Sequence, residues 1–131
     1  MFKMEIIKPK IIEKLWGREE WLVNNEKYCG KLLHLKKGFQ SSLHKHKNKD
    51  ETFYLLKGKL MIEVNGKEIL MKEGESIRLF PGDLHRFNGI GDAVVIEIST
   101  THEDSDSYRE EGQLSGKLPK EILNKYGEEN A

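Results

Sequence analysis

From Lys31 to Thr100 the chain is built of short apolar runs, most of them closed by a turn signal: "KLLHLKKG" stops at Gly38, "ETFYLLKG" at Gly58, "KLMIEVNG" at Asn65-Gly66, "KEILMKEG" at Gly74 and "ESIRLFPG" at Pro81-Gly82, while "AVVIEIST" follows Gly89 and Gly91. Apolar residues alternate with polar ones over much of these runs, the period of a half-buried strand. Asn65-Gly66 is the strongest hairpin signal in the chain, because a tight two-residue turn requires positive φ at both of its positions. Six such segments, spaced roughly 8–12 residues apart, predict an all-β sandwich or barrel with no room for crossover helices. Residues 11–23, "IIEKLWGREEWLV", read as a strand-bearing N-terminal arm interrupted at Gly17. From Thr101 to Gly116 the chain turns polar and is expected to be irregular. Pro119 and Gly127 then bracket "PKEILNKYG", a short C-terminal helix.

The chain has 131 residues, the size of one domain able to bury its own core. Lys and Arg number 22 and Asp and Glu 22. That balance argues against nucleic acid as the main partner, since phosphate binding needs a basic excess on one face. A single cysteine, Cys29, excludes an internal disulfide framework and suits a reducing compartment. No apolar run approaches the ~18 residues of a membrane span, and "MFKMEIIKPK" lacks a leader's apolar stretch, so a cytoplasmic location is the expectation.

The chemistry concentrates in "HKHKNKDETFYLLKG". On a strand, positions i and i+2 share a face, so His44 and His46 project together. Glu51 opens the next apolar run across a short turn and can return opposite them. Two imidazoles and a carboxylate on one face suit a divalent ion with coordination positions left open; Zn, Mn, Ni, Fe and Co all accept such donors. His85, after the Pro81-Gly82 turn, is the natural candidate for a fourth ligand.

These residues carry a resemblance. Gly38 through Gly58 matches the first motif of the cupin superfamily, G-x5-H-x-H-x4-E-x6-G, at every fixed position. Residues 74–89 resemble the second motif, G-x5-P-x-G-x2-H-x3-N, at Gly74, Gly82 and His85, with Phe80 in place of its proline and Gly89 in place of its asparagine. The resemblance implies a cupin jelly-roll barrel spanning residues 1–131, with His44, His46, Glu51 and His85 as metal ligands. "KLWGREEW" and "IEISTTHEDSDSYR" are similar to flanking stretches of cupins related to mannose-6-phosphate isomerase, although Leu15 stands where that group has proline.

The implied function is metal-dependent isomerisation of an aldose and a ketose, on a sugar or sugar phosphate, in a homodimer. Candidate catalytic bases are Glu97, His34 and Glu51. An Fe(II)-dependent dioxygenase and a non-catalytic metal- or sugar-binding module are the alternatives the same ligand set permits. Glu97 interrupts "VVIEIS"; should its face be the pocket, burial would raise its pKa and suit it to act as a base. His34 and Lys36 are expected on a solvated outer face and His102 in a mobile surface tail. Lys45, Lys47 and Lys49 read as solvated turn residues able to draw an anionic sugar phosphate.

Overall fold

The computed structural model describes residues 1–127. Two long strands form its spine: β6 (Glu51–Val64) and β9 (His85–Ser99) pair antiparallel along almost their whole length. The register shifts between Leu55 and Lys57 and again between Gly58 and Leu60, and there the pair bends from one sheet into the other. On one side of the bend the strand order is β1 (Lys10–Lys14), β2 (Gly17–Asn24), β3 (Cys29–Leu35), β9, β6, β8 (Ser76–Leu79). On the other side β6 pairs with β7 (Lys67–Met71), while β9 pairs with β4 (Phe39–Gln40) and β5 (His44–His46). This is the expected all-β jelly roll, with its N-terminal strand arm.

Glycine is required at the bend. Gly58, the last fixed residue of the first motif, has φ of 104°, and a Cβ there would lie 1.9 Å from the Asp92 carbonyl oxygen. A Cβ on Gly89 would lie 2.5 Å from the Lys36 carbonyl oxygen, so the departure from the second motif at this position follows from close backbone contact. The Asn65-Gly66 turn between β6 and β7 has φ of 51° and 83°, as the hairpin signal predicts.

Strand alternation sends Leu33 and Leu35 of β3, Phe53 and Leu55 of β6, and Ala93 and Val95 of β9 inward to one core, sealed by Trp16. The same phase carries Lys31, Glu51 and Glu97 onto that inner face, where all three are buried. One end of the barrel is therefore apolar and the other charged, and the functional cavity lies at the charged end.

The C-terminal helix α1 (Lys120–Tyr126) forms as expected, with Pro119 before it and Gly127 after it. Its Ile122, Leu123 and Tyr126 pack on a second cluster of Met61, Ile90 and Leu118. The polar stretch 101–116 is more ordered than its composition predicts. It forms a 3-10 turn (Asp104–Asp106) and strand β10 (Ser107–Arg109), which pairs with β5; beyond it β11 (Gly116–Lys117) pairs with β4. These strands obtain their hydrogen bonds from distant edges rather than from apolar alternation of their own. No helix among the described residues is long and apolar enough to cross a membrane.

Candidate metal centre

His44 and His46 lie two apart on β5, and the β5–β9 register sets His44 directly opposite His85. The three imidazoles converge, each offering a nitrogen within 4.8 Å of the others. In each ring the second nitrogen, Nδ1, faces a backbone carbonyl: Ser42 at 2.9 Å from His44, Asp106 at 3.1 Å from His46, and Asp83 at 2.9 Å from His85. Donation from Nδ1–H to a carbonyl fixes the tautomer and leaves the Nε2 lone pair for a metal. Nε2 of His85 is buried and has no hydrogen-bond partner among the described residues, a costly state for a polar atom that a bound cation relieves.

Burial, reinforced by neighbouring positive and imidazole groups, lowers His44, His46 and His85 to about 4. At neutral pH all three rings are thus uncharged, the state required of a ligand. Glu51 Oε2 lies 3.4 Å from His85 Nε2 and 3.8 Å from His46 Nε2. Tetrahedral donors around an ion with bonds near 2.1 Å stand about 3.4 Å apart, so the carboxylate has the spacing of a co-ligand. Burial, and then the Glu97 carboxylate, push Glu51 up to about 8, with Lys49 opposing them; a divalent ion would supply the charge this carboxylate lacks. The donor set therefore fits a divalent ion of the Zn, Mn, Ni, Fe or Co type.

Lys49 is not the solvated turn residue its setting suggests. It is buried, its Nζ 2.5 Å from Glu97 Oε2, 3.5 Å from Glu51 Oε1 and 3.0 Å from His102 Nδ1. The cause lies 57 residues further along the chain. The buried Asp106 carboxylate accepts the backbone N–H groups of Lys47, Asn48 and Lys49 at 2.9–3.2 Å and turns the loop so that Lys49 enters the barrel. Lys47 stays exposed, its ammonium 4.4 Å from the Tyr108 ring centre, and Lys45 is half-buried.

Glu97 does face the cavity, but not as a carboxyl of raised pKa. Burial pushes it upward, yet Lys49 and Lys31 prevail and hold it ionised, at about 2. His102 is not mobile surface either. Its Nδ1 accepts from Lys49, its Nε2 donates to Asp104 at 2.9 Å, and Trp21 lies edge-on to its ring. His34 stays outside: Nε2 meets Glu20 at 3.1 Å, and the ring lines a separate recess of about 540 Å³ beside Gly17 and Asp92.

The metal cavity measures about 340 Å³ and holds His44, His46, Glu51, His85 and Glu97 together. Lys31, Lys49, His102 and Asp104 also line it. The phase of Lys31 with Leu33 and Leu35 marks it as inward-facing; nothing local marks Asp106.

A family model described as a cupin domain matches residues 31–102. A mannose-1-phosphate guanylyltransferase from Sinorhizobium fredii is 26% identical over 87 residues, covering 65% of this chain but 17% of that protein. Among solved structures, one described as a predicted oxalate decarboxylase from Thermotoga maritima is 24% identical with a TM-score of 0.61, covering 73% of this chain and 94% of that one. A Streptomyces PAC13 variant with uridine gives a TM-score of 0.71 at 13% identity, covering 84% and 92% of the two chains. The two structural likenesses bear on the fold.

Proposed function

The chain belongs to the cupin domain family, and from that membership we propose a metal-dependent isomerase that interconverts aldose and ketose forms of a small sugar or sugar phosphate. The observation that carries this reading is the cavity wall. Around the imidazole triad it presents charged pairs and the hydroxyls of Ser41, Ser42 and Ser107, with Trp16, Leu33, Phe53 and Phe87 as its apolar members. A chamber of about 340 Å³ with such walls suits a compact polyol, whose hydroxyls exchange water for these groups. The relation to a mannose-1-phosphate guanylyltransferase favours a sugar of the mannose type.

A divalent ion held by His44, His46, His85 and Glu51 would supply Lewis acidity toward the carbonyl and its neighbouring hydroxyl. The proton to be moved leaves the carbon beside the carbonyl and returns to the adjacent carbon, while a hydroxyl proton passes between the two oxygens, so no oxidant is needed. Glu51 borders the triad and is the carboxylate placed to carry that proton. Glu97 stays ionised and fixes Lys49 against Glu51. His34 has no part in this scheme.

The test is proton exchange at C2 of mannose 6-phosphate and related aldoses in D2O, followed by NMR on protein loaded with each of the five metals. Exchange and ketose formation are expected, with a loss of at least about a hundredfold in a metal-containing Glu51→Gln variant. Absence of exchange in protein shown to hold metal would overturn the isomerase. Oxygen uptake by the iron form would then point to a dioxygenase, and tight sugar binding without turnover to a binding module.

We also propose that two copies pair. Phe2, Met4 and Ile6 are 86%, 70% and 90% exposed ahead of the edge strand β1, and Ile98 is 61% exposed on the outer face of β9. Apolar side chains beside an open strand edge are normally covered by a partner. Light scattering should give twice the mass of one chain; a monomer at tens of micromolar would refute the pairing.

A further inference from the structure

The tail strand β10 brings more to the cavity than the carbonyl that orients His46. Residues directly opposite one another on paired strands share a face. The register Ser107 to His46 and Arg109 to His44 therefore places Ser107 and Arg109 on the ligand-bearing side of β5, and both line the cavity. Tyr108, opposite Lys45, faces away and lies under Lys47.

The cavity's four carboxylates are each matched. Glu19 meets Lys31 at 3.6 Å, Lys49 meets both Glu97 and Glu51, and Asp104 meets His102. Of its four lysine and arginine side chains this leaves Arg109 and Lys14, which form no ion pair among the described residues. Since fixed cations and carboxylates balance, a divalent ion on the triad leaves the cavity two positive charges in excess. That excess attracts an anionic ligand into a low-dielectric cleft. Arg109 is exposed, forms no ion pair among the described residues, and stands across from a metal ligand.

We propose that Arg109 anchors an anionic group on the substrate, a phosphate or a carboxylate, while the triad end of the cavity receives the polyol. A guanidinium presents paired N–H donors that match two oxygens of either group, and the Ser107 hydroxyl, which lines the same cavity, offers a neutral donor. The inference rests on the sugar-directed reading of this site and adds the charge of the ligand.

The experiment is calorimetric titration of cobalt-loaded protein with mannose, mannose 6-phosphate and gluconate, in the wild type, Arg109→Ala and Arg109→Lys. The expected result is that one of the anionic sugars binds at least tenfold more tightly than mannose to the wild type. Arg109→Ala should erase that margin and Arg109→Lys restore part of it, with metal content and melting temperature unchanged. Which anion shows the margin tells phosphate from carboxylate. A margin that survives in Arg109→Ala overturns the anchor, as does a wild type that shows no margin or binds none of the probes. If the margin depends on Arg109 but no proton exchange occurs, the anchor stands and the isomerase falls.

Discussion

Alanine at His46 or His85 should weaken divalent-metal binding by at least about a hundredfold. Loss of even an outer partner of a metal ligand typically costs 10–100-fold, and a direct ligand must cost more. His85 is the sharper case, because its Nε2 is buried and unpartnered and its Nδ1 is committed to the Asp83 carbonyl. The variants can be read by competition of cobalt-loaded protein against a chromophoric chelator. His34→Ala is the control: it removes an imidazole from a separate recess and should leave cobalt affinity within about twofold. Equal affinity in His85→Ala and the wild type would remove His85 from the centre.

The second large effect belongs to Glu97. Replacing it with alanine leaves the Lys49 ammonium, buried in the barrel, without its 2.5 Å partner, with the neutral His102 Nδ1 acceptor and, as its remaining carboxylate, the more distant Glu51. Breaking a buried pair from one side typically costs about 3–5 kcal/mol; the remaining Glu51 places this variant toward the lower end. Denaturant unfolding of the metal-free protein measures it. The double variant Glu97→Ala/Lys49→Met removes both charges and should recover most of the loss, since an apolar replacement of a whole buried pair is often neutral or better. A single variant within about 0.5 kcal/mol of wild type would show that Lys49 finds water or another partner and that the pair does not organise the cavity.

The parts of this architecture visible in the sequence are those governed by local rules. Strand alternation, positive-φ turns such as Asn65-Gly66, and the i, i+2 placement of His44 and His46 depend on near neighbours, and each recurs in the folded chain. The convergence of His85 on that pair needs only the antiparallel return of β9. The misplaced residues are those whose position is set at long range. Lys49 lies in a lysine-rich turn and is polar by every local measure; Asp106, 57 residues later, draws its backbone inward. The alternation separates Glu97 from Val94, Ile96 and Ile98 but leaves open whether its face is the pocket, and its charge state depends on the burial of Lys49. His102 is held by the same contacts, to Lys49 and Asp104, in a tail whose composition alone suggests disorder. The second-motif departure at Gly89 likewise has its cause outside the motif, in the carbonyl of Lys36.

The measurement that bears most directly on the whole account is metal stoichiometry by elemental analysis, on protein reconstituted in turn with zinc, manganese, nickel, iron and cobalt and then desalted. The account predicts about one equivalent of at least one of these metals per chain, and for cobalt a visible ligand-field absorption band of the protein-bound ion. Protein that retains none of the five would contradict it, leaving three neutral imidazoles and an unpartnered Nε2 buried in a cavity that holds no ion.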